Sequence, residues 1–170
     1  MLIMEKKKIL FLDCDGVLNY TQWYIDKRAR CEEPVLDADI DPACVRRIIE
    51  ICSRTNAHIV LSSDWRVSWP GARDRLQRAG FPDGLIIDKT PEHMWARFLP
   101  TGILEPGIDF SRGGEIQEWV DSHEDTYDYL IVDDREDFTK EQRAFHLLKI
   151  NPWQGITDRD VKKAIDLLSR

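Results

Sequence analysis

The amino-acid sequence predicts an α/β fold, a parallel β-sheet with helices on both faces. Three observations point there. Apolar runs of strand length alternate with segments of helical period along the 170 residues. The first run, Lys8-Ile9-Leu10-Phe11-Leu12-Asp13, is almost wholly apolar, as a strand buried on both faces requires. Three of the runs end in carboxylates or hydroxyls, and ligands of parallel sheets gather at the carboxyl ends of strands.

Taken in order, the first strand leads into residues 19–39, polar and aromatic with little periodicity, which read as a small flap. A helix opens at Asp41-Pro42, with Asp as N-cap and Pro at the first helical position, and Val45, Ile48, Ile49 and Cys52 form its apolar stripe. The second strand, His58-Ile59-Val60-Leu61, runs into Ser62-Ser63-Asp64-Trp65-Arg66. A short helix over 72–79 closes at Gly80, a natural left-handed cap, and Leu85-Ile86-Ile87 is a third strand. Residues 89–111, rich in Pro, Gly and aromatics, form an irregular insertion of the kind that serves a site. A helix over 114–120 precedes the fourth strand, Tyr129-Leu130-Ile131-Val132, which ends in Asp133-Asp134. A short strand over 146–150 follows. The last helix opens with the capping box Thr157-x-x-Asp160 and buries Val161, Ala164, Ile165 and Leu168. Without repeats or low-complexity tracts, residues 1–170 read as one domain.

Composition narrows the function. An apolar fraction of 42% with 32% charged residues is that of a globular protein. The net charge of −7 argues against broad electrostatic binding to nucleic acid or to an anionic membrane. Cys14, Cys31, Cys44 and Cys52 show no metal-ligand spacing and read as reduced thiols. The N-terminus lacks the order of a secretion signal, and no apolar stretch approaches the roughly 20 residues that span a bilayer, so a soluble, cytoplasmic protein is expected.

If the strands are parallel and adjacent, Asp13, Asp15, Ser62, Ser63, Asp133 and Asp134 meet at one rim. Carboxylates about 4 Å apart repel by roughly 4 kcal/mol per pair at an effective dielectric near 20. Such a cluster calls for a cation, shared protons or a wide splay, and oxygen-only ligands favour Mg²⁺ over zinc or copper.

Asp13-Cys14-Asp15-Gly16-Val17-Leu18-Asn19 after an apolar strand resembles the first motif of the haloacid dehalogenase (HAD) superfamily of phosphohydrolases. Ser62, with Ser63 as the fallback, resembles its second motif, and Asp133-Asp134 its acidic fourth. The third, a basic residue usually Lys near the start of the helix before the fourth strand, is best matched by Arg112, with Lys89 competing. The resemblance covers nearly the whole chain. Ser62-Ser63-Asp64-Trp65-Arg66, residues 112–120 and Gly155-Ile156-Thr157 are similar to a small capless subgroup that includes the phosphatase-like domain of multi-enzyme RNA repair proteins.

This resemblance implies a three-layer, Rossmann-like parallel sheet without a substantial cap domain, and a Mg²⁺-dependent phosphatase acting through an aspartyl-phosphate. In it Asp13 is the nucleophile and Asp15 the acid and base; Ser62 and Arg112 bind the phosphoryl group. Asp134 joins Asp13 and the backbone carbonyl of Asp15 in the metal shell as the further carboxylate; Asp133 stands behind the ligands or takes that place itself, and Asp137 is another candidate partner behind them. A capless site suits a large phosphorylated substrate such as a polynucleotide end, and also admits a nucleotide. Arg66 and Trp65, directly after the serines, are candidates for clamping a phosphate and stacking on a base. Two rivals remain open: an inactive member that only binds, and a receiver-type phosphoacceptor domain. Against the receiver, the second strand, taken as the middle one, ends in serines, although Lys149 hints at that fold's late lysine.

Overall fold

The structure, a computed structural model, describes residues 6–30, 39–93, 109, 111–123 and 127–169. Five strands, β1 (Lys7–Leu12), β2 (Ala57–Leu61), β3 (Ile86–Lys89), β4 (Tyr127–Asp133) and β5 (Leu147–Lys149), form one sheet in the order β3-β2-β1-β4-β5. Every pairing is parallel, and Leu10 lies in register with both Ile59 and Leu130. Among the described residues, five α-helices accompany it: α1 (Thr21–Ala29), α2 (Pro42–Thr55), α3 (Gly71–Arg78), α4 (Arg112–Asp121) and α5 (Asp158–Leu168).

Strand periodicity divides the core. Leu10, Leu12, Ile59, Leu61, Leu130 and Val132 point to one face and pack with α2 and α5 through Val45, Ile48, Val161 and Ala164. Ile9, Phe11, Val60 and Ile131 point to the other, against Ile116 and Trp119 of α4 and against Phe138. There the Phe11 and Trp119 rings meet edge to face at 5.4 Å. Each fully buried Leu, Ile or Phe contributes about 1.5–3 kcal/mol of transfer free energy, so the two layers hold the central strands rigidly. This is the three-layer α/β sheet expected, and among the described residues no cap covers the strand ends.

The caps explain the helix starts. Asp41 accepts from the Ala43 N–H at 2.8 Å, and both halves of the Thr157–Asp160 capping box are made. Ser111 accepts from the Gly114 N–H at 3.0 Å, which starts α4 at Arg112, two residues before the start expected from periodicity. At Gly113 a Cβ would lie 2.8 Å from the Phe138 Cα, so only glycine lets this helix end sit against the segment after β4.

Several expectations shift. The flap region holds α1, which buries none of its residues and therefore carries no apolar stripe to read. The third strand lies further on, at Ile86–Lys89, and the fifth is trimmed by a π-helical turn over Gln142–His146. Trp153 is 60% exposed, and His93 is half-buried with Nε2 2.5 Å from Glu118 Oε2. Residues 31–38, with Cys31, and most of the 89–111 insertion lie outside the described residues, whereas Cys14, Cys44 and Cys52 are buried free thiols. Among the described residues no helix is long and apolar enough to cross a membrane.

Candidate active site

The carboxyl ends of β1, β2 and β4 are neighbours, because β1 is central and flanked by the other two. Asp13 extends β1 by one bond, its N–H donating to Val132 O at 3.0 Å, and its side chain is buried. The chain then turns tightly: the Val17 and Leu18 N–H groups donate back to Cys14 O, and Gly16 N–H donates to Asn19 O at 2.8 Å. Gly16 has φ +80°, and a Cβ there would meet the Asp134 carboxylate at 2.5 Å. Only glycine allows both that backbone and that approach, which brings Asp134 against the first loop.

Asp13, Asp133 and Asp134 offer carboxylate oxygens that all lie within 4.8 Å of one another. Asp133 is fully buried and committed on both oxygens, Oδ1 to the Arg135 N–H at 2.8 Å and Oδ2 to Arg112 Nη1 at 3.1 Å. Burial and the Asp13 charge push its carboxyl up to about 7. Burial also raises Asp13, against the opposing pull of the Arg112 charge. Asp134 is half-buried and accepts no hydrogen bond from any described residue, which leaves its carboxylate open to a cation. An all-carboxylate set with one uncommitted member fits a hard divalent ion such as Mg²⁺.

Arg112, at the first position of α4, reaches this cluster; Lys89 does not. Arg112 Nη1 lies 2.9 Å from Asp13 Oδ1, donates to Asp133 and to Ser62 O, and Nη2 lies 3.0 Å from Asp64 Oδ1. Lys89 Nζ is instead 2.5 Å from Glu92 Oε1. Arginine's rigid fork needs a partner for its second nitrogen, and Asp64 supplies one while binding Arg135 Nη2 at 3.0 Å through Oδ2. Asp64 was not singled out from sequence as part of the site; its role depends on α4 arriving from across the sheet.

At the end of β2, Ser62 Oγ is buried and has no hydrogen-bond partner, although its backbone is tied to Leu12 O at 2.9 Å. Ser63 caps a 3-10 turn over Asp64–Ser68, its hydroxyl accepting from Trp65 N–H at 3.4 Å and helping to hold the Asp13 carboxyl down. Arg66 departs from the expected substrate clamp. It is 2% exposed, with Nη2 2.5 Å from Glu115 Oε2 and Nη1 donating to Ser63 O at 2.8 Å, so its charge ties β2 to α4 beneath the rim. Trp65 does reach the rim, where its indole N–H donates to Asp15 Oδ2 at 2.9 Å. Asn19 Nδ2 donates to the other oxygen of Asp15 at 2.8 Å. Asp137 sits behind the cluster and accepts the Arg112 N–H at 3.3 Å.

Asp13, Asp15 and Asp134 open into a cleft of about 960 Å³ between α1 and the Asp64–Arg75 segment. Tyr20 at the N-cap of α1, with Tyr24 and Arg28 within the helix at steps of four, lines one side; Trp65 and Arg75 line the other. That spacing of four was the one sequence signal of α1. Arg28, Arg75 and Arg135 face the cleft together with Asp13, Asp15, Asp64 and Asp134, so cations stand beside the acidic cluster.

The receiver-type rival needs a different argument from the one sequence offered. The middle strand is β1 and ends in Asp13, not in serines. However, Lys149 pairs with Glu136 at the surface, and the cation at Asp13 is Arg112.

Residues 9–161 match the family model described as the HAD domain in Swiss Army Knife RNA repair proteins. No curated protein and no solved structure matches the chain. The matched span runs from β1 into α5 and contains both acidic strand ends, the serines and Arg112. The chain therefore belongs to the HAD superfamily, in the family of domains found in Swiss Army Knife RNA repair proteins.

Proposed function

We propose that this protein is a Mg²⁺-dependent phosphatase that hydrolyses a phosphate monoester through an aspartyl-phosphate on Asp13, acting on a phosphorylated nucleic-acid end or a nucleotide. Family membership suggests phosphatase-type chemistry. The observation that carries the reading is the Arg112–Asp13 contact at 2.9 Å inside the Asp13, Asp133 and Asp134 cluster, beside the partnerless Ser62 hydroxyl.

Asp13 and Asp134, with the backbone carbonyl of Asp15, would hold the metal, and Asp133 would brace them from behind. The ion, when bound, supplies the positive charge that lets an anionic nucleophile approach an anionic phosphate. The remaining work belongs to side chains. Asp13 attacks phosphorus, the bond to the leaving oxygen breaks, and Asp15 gives that oxygen its proton. Asp15 then takes a proton from water as the water oxygen bonds to phosphorus and the Asp13–phosphorus bond breaks, releasing inorganic phosphate. Arg112 and the Ser62 hydroxyl bind phosphoryl oxygens, where charge develops. The open cleft with Trp65, Tyr24 and the arginines supports a substrate larger than phosphate, and a base can stack on such rings. We also propose a cytoplasmic location, which the buried free thiols support.

The test is hydrolysis of para-nitrophenyl phosphate with Mg²⁺ by the natural chain and by Asp13→Asn and Asp15→Asn. Activity in the natural chain that disappears in Asp13→Asn is expected; activity that survives it sinks the mechanism. Substrate class is read from 3′- and 5′-phosphorylated oligonucleotides beside nucleotides, sugar phosphates and phosphopeptides. Equal rates on bare small phosphates and on oligonucleotides would remove the nucleic-acid assignment.

A further inference from the structure

Asp15 is exposed at the cleft, yet both of its carboxylate oxygens are held. One is bound from within its own loop by the buried Asn19 at 2.8 Å, the other from a different strand end by Trp65 at 2.9 Å. We infer that Trp65 is a positioning residue for Asp15: its indole N–H fixes the plane of the carboxyl group that must face the leaving oxygen. The inference rests on the phosphatase reading above.

The geometry is built rather than incidental. An exposed Asp side chain otherwise samples several rotamers, and a general acid works only at hydrogen-bond distance from its target in a fixed orientation. Donors at opposite oxygens remove the rotation of the carboxyl group and leave the remaining lone pairs turned to the cleft. Trp65 can serve because it is itself held on three sides. Its backbone N–H is capped by Ser63, its ring lies under the Arg75 guanidinium at 4.9 Å, and its ring nitrogen is spent on Asp15. The contact ties the loop after β1 to the turn after β2, so the nucleophile's loop and the phosphate-binding serines keep one spacing. A Phe at this position would still stack under Arg75 but would offer no N–H.

The experiment separates positioning from general damage by the leaving group. In kcat/KM, which reports the first half-reaction, an alkyl monoester such as glycerol phosphate leaves as a strongly basic alkoxide and depends on the proton from Asp15. Para-nitrophenolate is weakly basic and depends on it little. Trp65→Phe is expected to lose about tenfold in kcat/KM on glycerol phosphate, the worth of one hydrogen bond to a charged group, and less than about threefold on para-nitrophenyl phosphate. Equal losses on the two substrates, or no loss on either, overturn the inference. A second readout needs neither turnover nor that variant: the indole N–H resonances of the natural chain and of Asp15→Ala. One resonance is expected to move upfield when its carboxylate acceptor is removed, and an unchanged set overturns the contact. A natural chain that hydrolyses neither ester, nor a nucleotide, nor a 3′- or 5′-phosphorylated oligonucleotide refutes the phosphatase reading alone, and the indole resonances then decide the positioning of Asp15 on their own.

Discussion

Replacing Arg112 by Met removes the one positive charge among the described residues that touches both Asp13 and Asp133. The three side chains are each less than 5% exposed, so water screens the contacts weakly. At 2.9 and 3.1 Å each pair attracts by about 5–6 kcal/mol at an effective dielectric near 20, before desolvation is set against it. Breaking a buried pair by deleting one partner typically costs about 3–5 kcal/mol, because the remaining charge has no compensation. That is the expected loss in urea unfolding of the metal-free Arg112→Met chain near pH 8. The loss shrinks toward pH 5.5, where Asp133, already raised to about 7, sheds its charge by taking a proton. In turnover of para-nitrophenyl phosphate with Mg²⁺, the same change removes a donor to the phosphoryl group and costs about 10²–10³ in kcat. Arg112→Lys keeps a charge at Asp13 but gives up the Asp64 branch, and retains activity within about tenfold. An Arg112→Met chain with the natural stability at pH 8 and the natural kcat would refute the reasoning.

Two further outcomes follow from the same geometry. A carboxyl whose folded pKa lies above its unfolded value stabilises the fold at low pH and loses that contribution as pH rises through the folded value. Asp133, at about 7 folded against the ordinary 3.8 of an aspartate, therefore makes the metal-free chain progressively less stable as pH rises from about 4 to 7, and the rise in Tm on adding Mg²⁺ grows from pH 5.5 to pH 8; a Mg²⁺ effect that is flat or falls with pH contradicts this. Arg66→Met strands the buried Glu115 and costs about 3–5 kcal/mol in unfolding, while KM for para-nitrophenyl phosphate stays unchanged; a raised KM with unchanged stability would return Arg66 to the substrate.

Much of the fold was legible because its signals are local. Buried parallel strands must be apolar along their length, so Leu10, Phe11, Val60 and Ile131 identify themselves without reference to anything distant. Asp41 and Thr157 act on backbone N–H groups two or three residues away, and their helices begin where expected. α1 was missed for the opposite reason. It packs no residue into the core, so it carries no stripe, and only its Tyr20–Tyr24–Arg28 spacing marks a face. Arg66 was misread because proximity to the serines in sequence says nothing about which way a buried side chain turns. Its direction is set by Glu115, 49 positions away.

The sequence by itself determined that carboxylates and hydroxyls stand at three strand ends, since strand polarity and length place Asp13, Ser62 and Asp133 there whatever the strand order. Tertiary structure decided how they are used. It made β1 the central strand, brought Arg112 rather than Lys89 to Asp13, and left Asp134 open while Asp133 is braced. It also set Trp65 on Asp15 and buried Arg66. The physical reason is range. Strand and cap preferences act over a few residues of chain, whereas an ion pair or an orienting hydrogen bond acts over about 3–4 Å of space. Only the packing of α4 and of the turn after β2 onto the sheet edge brings residues 20 to 100 positions apart within that reach.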